Sequence, residues 1–268
     1  MKKWFGIAVV ILIAITLAAC GKDENKLVVG ATNEPHAVIL EEAKPILKEE
    51  GIDLEIEVFS KYELINRALA DGDLDANYFQ HIPYFNQEIE KFGYDFVNAG
   101  GIHIEPMGIY SKRYKSLEEL PDGAKVIMSN STSDHGRVLS LLEKAGLIKL
   151  RDGVDPTTAT VDDIAENPKN LVFDYEYAPD LLPAIYENDE GDVVAINSNY
   201  ALDAGLNPVK DSIAIESEDS PYVNIIAVRK EDENREEIKK LVEVLRSEKI
   251  QKFILEKWGG SVVPVSGE

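Results

Sequence analysis

The only cysteine of the chain, Cys20, stands at the end of an apolar run, and that position limits what the rest can fold into. Residues 4–17 are fourteen positions without a charge, preceded by Lys2 and Lys3. That length suits the core of a signal peptide and falls short of the ~20 apolar residues that a spanning helix needs. With Cys20 at the processing site, no disulfide can form inside the remaining chain. Its stability must come from packing, and about 240 residues suffice for one large core or for two lobes.

Leu17-Ala18-Ala19-Cys20 places small residues directly before the thiol and resembles a bacterial lipobox. In that pattern the thiol receives a diacylglyceryl group and cleavage leaves the cysteine as the new N-terminus. The expected location is therefore the extracytoplasmic side of the cell membrane, with the lipid on Cys20 as the anchor. Each buried methylene contributes roughly 0.8 kcal/mol, so several acyl chains hold firmly. Residues 1–19 read as the signal peptide and 20–26 as a polar tether. Without Lys2 and Lys3 the 28 basic residues become 26 against 49 acidic ones, a balance of −23. A nucleic-acid partner would be repelled, and no basic stripe offsets this.

From Lys26 onward two kinds of segment alternate. Residues 27–31 and 54–58 read as strands, and between them Ala37, Leu40, Ala43 and Leu47 recur at helical spacing until Gly51. Pro45 inside that pattern predicts a kink or a restart. Helices are expected over 62–70 and 82–92, with 74–77 extended between them. After Pro106 the pattern restarts. Strands are expected at 125–128, 171–173, 193–196 and 223–228, and helices at 136–145, 232–246 and 249–258. This rhythm predicts two α/β units.

Several chemistries are missing. There is no phosphate-binding loop and no Gly-x-Ser-x-Gly elbow, and Gly100-Gly101 and Gly259-Gly260 read as turns. No residue set offers a nucleophile with a base, which argues against an enzyme. None of the four histidines, His36, His81, His103 and His135, has another three to five residues away, so the spacing gives no metal site. One cluster suggests a ligand. Asn77-Tyr78-Phe79-Gln80-His81 places two aromatics and an imidazole just after an expected strand, where α/β proteins bind ligands. Ordinary core packing of Tyr78 and Phe79 is the competing reading.

Gly30-Ala31-Thr32 with Pro35-His36-Ala37, and the run from Gly72-Asp73-Leu74-Asp75 through His81, resemble the methionine-binding lipoproteins of the NlpA type. So do His103-Ile104-Glu105-Pro106-Met107-Gly108-Ile109-Tyr110-Ser111, Asn199-Tyr200-Ala201-Leu202 and Ser220-Pro221-Tyr222-Val223-Asn224. The similarity runs in order over nearly the whole mature chain. It implies the two-lobed periplasmic-binding-protein fold of type II, two α/β lobes joined by two crossing hinge segments. Lobe 1 would comprise 27–107 plus 223–268, and lobe 2 would comprise 108–222. It also implies the capture subunit of an ABC importer for methionine, working as a monomer with a membrane permease and its ATPase and needing no cofactor.

The resemblance carries over a set of ligand-binding residues. Tyr62, Phe79 and His81 fall where the family surrounds the thioether, and sulfur–aromatic contacts favour a long unbranched chain. Arg137 falls where an arginine pairs with the ligand carboxylate, a task that its planar fork suits. Asn199 and Asn224 match amides that hold the head group. Two departures bear on the ligand. The stretch before Arg137 reads Ser129-Asn130-Ser131-Thr132-Ser133-Asp134-His135-Gly136, and 175–192 is altered and longer, bringing Tyr175, Tyr177 and Asp180 to or near the cleft. A different, closely related amino acid or a small methionyl peptide is thus an alternative ligand. A metal-binding lipoprotein and a surface adhesin without a transport role are the other readings.

Overall fold

The computed structural model describes residues 25–265, so the expectations for the signal peptide and Cys20 lie outside the described residues. The chain begins with β1 (Lys26–Ala31), α1 (Val38–Glu49), β2 (Asp53–Val58), α2 (Tyr62–Asp71), β3 (Ala76–His81), α3 (Ile82–Phe92) and β4 (Phe96–Ile104). It then crosses to β5 (Gly108–Tyr110), β6 (Lys125–Ser129), α4 (Thr132–Lys144), β7 (Lys149–Leu150), β8 (Ile164–Glu166) and β9 (Val172–Tyr177). The same half continues through α5 (Leu182–Glu187), β10 (Val193–Ile196), α6 (Ser198–Asp203), α7 (Pro208–Asp211) and β11 (Ala214–Ile215). The return consists of β12 (Val223–Arg229), α8 (Glu236–Leu245), α9 (Glu248–Trp258) and β13 (Val263–Pro264).

Two sheets result. One has the order β13-β4-β12-β3-β1-β2 and draws on both ends of the chain; the other has the order β11-β5-β10-β6-β9 and comes from the middle alone. In the first, β1 runs parallel to β2 and β3, while β12 is antiparallel to β3 and β4. The antiparallel β12 is what lets the returning chain complete a lobe that the N-terminal half began. Helices cover both sheets. Leu40, Ala43 and Leu47 of α1 pack with Leu241 of α8 and Ile254 of α9 over one face, as their helical spacing requires. Among the described residues no helix is long and apolar enough to cross a membrane.

Four local expectations are corrected. Pro45 lies inside α1 without ending it; the irregular stretch is instead Asn33–Ala37, just before the helix. The helix that carries Arg137 starts at Thr132, four residues before the expected position, so Asp134 and His135 are helical. The cluster at 77–81 lies on β3 itself rather than after it. Gly100 and Gly101 are not a turn but the middle of β4. A Cβ on Gly100 would stand 2.7 Å from Cγ1 of Val242, so the bare backbone lets α8 lie close against the strand.

Candidate ligand-binding site

A narrow cavity lies between the two large sheets. Its walls come from the end of β3 and the starts of β12 and α2 on one lobe, and from the start of α4 and the turn after β10 on the other. Tyr62, Phe79, His81, Arg137, Asn199 and Asn224 all line it. So do Gln80, Tyr84, Glu105, Asp134, Asn197 and Ser198, which the sequence analysis did not single out. Asn197 and Asp134 follow the strands β10 and β6, so the rule that ligands sit at carboxyl ends of strands, used above only for 77–81, would have found both.

The strand β3 is buried along its whole length, and this divides its aromatic cluster. Tyr78 is fully buried in the core and its hydroxyl bonds Nδ1 of His103, so for this residue the core reading holds. Phe79 and His81 face the cavity. His81 also opens α3, its Nδ1 accepting the Tyr84 N–H at 3.1 Å. The ring proton of the neutral form therefore sits on Nε2, 3.5 Å from Oδ1 of Asp134 on the opposite lobe. Burial pulls the His81 pKa down, against the upward pull of that carboxylate. Burial opposes the charge of Asp134 in turn, but His81, Arg137 and the Ser129 hydroxyl hold its pKa below the usual value. Its other oxygen accepts from Ser129 Oγ at 2.7 Å and from Asn197 Nδ2 at 3.2 Å.

Tyr62 is the centre of the aromatic wall. Its ring lies 5.5 Å from Phe79, 5.7 Å from Tyr84 and 5.0 Å from Tyr200, distances at which aromatic rings attract. Burial pushes its pKa up, so the phenol keeps its proton and donates it to Oδ1 of Asn199 at 2.5 Å. Further contacts close the seam between the lobes. Tyr200 Oη donates to the Ser60 carbonyl at 3.1 Å, and Asn33 Nδ2 donates to Asp203 at 2.8 Å.

Arg137 lines the cavity but its fork is already engaged. Nε lies 3.1 and 3.0 Å from the two carboxylate oxygens of Glu216, and Nη2 also bonds Glu216. Nη2 donates to the Glu105 carbonyl at 2.7 Å, and the guanidinium sits 4.6 Å from the centre of the Tyr222 ring. Glu216 is held from its other side by the N–H of Met107 at 2.8 Å. The arginine thus ties α4 to both segments that cross between the lobes. Only Nη1 remains outside these bonds.

His36, His103 and Glu105 come together although their spacing in sequence gives no hint of it, and they are close enough to serve as ligands to one metal ion. Their hydrogen bonds form a closed network. Oε1 of Glu105 lies 3.0 Å from Nε2 of His36 and 2.7 Å from Nε2 of His103. Nδ1 of His36 is bonded to Thr32 Oγ1 at 2.7 Å, and its Nε2 also meets Asn224 Oδ1 at 3.1 Å. Burial works against the Glu105 charge, but the two rings overcome it and hold the carboxyl well below the usual range. The altered 175–192 segment stays out of the cavity. Asp180 lines a groove at the mouth, Tyr175 meets the His135 ring edge to face at 5.1 Å, and Tyr177 packs in the core of the second lobe.

Comparison with known proteins adds an independent line. The chain is 52% identical to the methionine-binding lipoprotein MetQ of Bacillus subtilis over 99% of its own length and 100% of that protein's. The crystal structure of a pheromone cOB1 precursor/lipoprotein of the YaeC family from Enterococcus faecalis superposes with a TM-score of 0.88 at 58% identity, covering 90% of this chain and 100% of that one. A nutrient-binding protein from Burkholderia cenocepacia, solved bound to methionine, superposes with a TM-score of 0.84 at 42% identity, covering 89% and 99%. The sequence pattern of the NlpA lipoprotein family matches residues 27–266, and the chain belongs to that family.

Proposed function

We propose that this protein is the lipid-anchored capture subunit of an ABC importer, and that its cavity holds methionine as a zwitterion. Tyr62, Phe79 and His81 surround the thioether, while Arg137, Asn199 and Asn224 take the head group. The observation that carries this reading is one cavity with aromatic rings from one lobe facing amides and a guanidinium from the other. A ligand touching both walls stabilises the closed form by its differential affinity, with the two crossings as hinges between 27–107 plus 223–268 and 108–222. Arg137 takes part through Nη1, the group left over by Glu216. The anchor is a lipid on Cys20, and the partners on the membrane are a permease and its ATPase, met by a monomer.

The shape of the cavity favours the free amino acid over a peptide, because the altered 175–192 segment adds nothing to its lining. A thermal-shift panel of free amino acids and methionyl dipeptides tests this. A ligand at about a hundred times its dissociation constant adds ~2.7 kcal/mol of stability. Methionine should stabilise more than leucine, whose branch meets the rings, and more than alanine, which leaves them unfilled. Stabilisation by a dipeptide but not by methionine overturns the ligand. Cys20→Ala should abolish fatty-acid labelling and leave methionine binding intact.

A further inference from the structure

His36 lies in the segment before α1, His103 in β4, and Glu105 just after that strand. The antiparallel register of β12 with β4 sets Asn224 opposite His103 and adds a fourth buried polar side chain to the group. Nε2 of both rings is directed at the same atom, Oε1 of Glu105, at 3.0 Å from His36 and 2.7 Å from His103. Nε2 of His36 also lies 3.1 Å from Oδ1 of Asn224. Two imidazole nitrogens, a carboxylate oxygen and an amide oxygen thus meet in one small volume.

The outer bonds of the two rings match what a metal-ligating histidine needs. Such a ring holds its other nitrogen in a hydrogen bond that fixes its orientation. Nδ1 of His36 is bonded to the Thr32 hydroxyl at 2.7 Å, and Nδ1 of His103 to the Tyr78 hydroxyl. A hydroxyl can donate or accept, so each ring can carry its proton on Nδ1 and turn a bare Nε2 inward. Tetrahedral zinc, with bonds of about 2.0–2.1 Å, sets its ligand atoms about 3.3 Å apart. The spacings here are shorter by only a few tenths of an ångström. Charge favours a cation as well. The Glu105 side chain is 6% exposed, and among the described residues its hydrogen-bond partners are these two rings. Buried charges are paired or coordinate metals. Asp134 across the cavity adds negative charge, while Arg137 is taken up by Glu216.

We infer that His36, His103, Glu105 and Asn224 form a binding site for a first-row divalent ion of the zinc type. The two imidazoles disfavour calcium and magnesium, which take oxygen ligands. His36, His103 and Asn224 belong to the lobe of the first sheet and Glu105 directly follows β4, so the site does not need the lobes to close. The two histidines lie outside the cavity lining while Glu105 and Asn224 are part of it, so the ion enters through the cavity. Once bound, it engages both of these wall residues, and the ion and an amino acid exclude each other. Ion binding by the empty protein stands without the amino-acid reading of the cavity; only the exclusion rests on it.

Calorimetry of the tag-free mature protein, stripped with a chelator and titrated with zinc, tests the site. One equivalent should bind. His103→Gln and His36→Gln should each weaken it by at least about tenfold, the loss that removing even a partner of a ligand causes, and His135→Gln should leave it unchanged. Cobalt in place of zinc should give the intense visible absorption of a tetrahedral site in the wild type and lose it in His103→Gln. If both glutamine variants fail to fold by circular dichroism, the cobalt spectrum of the wild type decides, and the weak absorption of an octahedral ion overturns the site. Absence of zinc binding overturns it too, and so does binding that His103→Gln leaves at full strength, which puts the ion on the acidic surface. Protein loaded with methionine and freed of excess should take up zinc at least about tenfold more weakly, and equal uptake overturns the exclusion. A wild type that takes up zinc but no methionine keeps the ion site and overturns the amino-acid reading.

Discussion

The hydroxyl of Tyr62 and Oδ1 of Asn199 meet at 2.5 Å across the seam between the two lobes, so one hydrogen bond links the aromatic wall of the cavity to its amide wall. Tyr62 belongs to α2 of the first sheet's lobe, and Asn199 to α6 of the other. The bond can form only when the lobes are closed. It also orients the amide that faces the cavity.

Tyr62→Phe should therefore weaken ligand binding without unfolding the protein. The ring packing against Phe79, Tyr84 and Tyr200 survives, but Asn199 Oδ1 is left buried and unpaired. The expected loss is about 1–3 kcal/mol of binding free energy, read by calorimetry against an unchanged circular dichroism spectrum. Unaltered affinity would remove this bond from the closure mechanism.

Arg137→Ala should cost far more than Arg151→Ala. The Arg137 side chain is 4% exposed and that of Glu216 10%, so removing the cation strands a buried carboxylate, at about 3–5 kcal/mol. Arg151 pairs with Asp163 in solvent, its side chain 57% exposed, and should stay within about 0.5 kcal/mol of neutral. Urea unfolding of both variants measures the stability difference, and methionine titration measures the binding loss that accompanies it. Equal behaviour in both assays would take Arg137 out of the site and out of the hinge.

Gly136→Ala tests the setting of the same helix. Alanine is favoured over glycine inside a helix by about 1 kcal/mol. Here its Cβ would stand 2.0 Å from the Pro156 carbonyl oxygen, which is backbone and cannot swing aside. The clash outweighs the propensity, and a net destabilisation of about 1–3 kcal/mol is expected in urea unfolding. A variant as stable as the wild type would mean that 156–157 moves freely away from α4.

Local signals carried much of this architecture, and pairings distant in sequence carried the rest. The span 82–92 was legible because Pro83 marks the first turn and Gly93 the end, and the structure has α3 at those bounds. The strand β4 was hidden by its two glycines, which read as a turn until the side chains that pack over them, Val242 on Gly100 and Val223 on Gly101, are known. Pro45 misled in the opposite sense, since α1 runs through it unbroken. At the site, single residues could be picked out by resemblance, but their partners could not. Glu216 lies 79 positions from Arg137, and only the crossing of the chain between lobes brings them together.

Stability should fall as the pH drops below about 6.5, the ordinary value for histidine. Burial depresses the pKa of His81, His103 and His135 in the folded protein. Below the ordinary value the unfolded chain binds protons at these three rings that the folded chain does not. Stability is therefore full above that pH and declines as pH falls toward the depressed folded values. Glu105 and Asp134 are depressed as well, but their loss begins only below their ordinary values of 4.5 and 3.8. Glu88, raised chiefly by burial, acts with the opposite sign and is one group against three. Urea midpoints at about pH 5.5 and pH 7.5 should differ, with the acidic one lower, and His103→Gln should reduce the difference because its ring titrates no longer. A midpoint that is flat across this window, or higher on the acid side, would mean that these three rings are protonated in the folded protein.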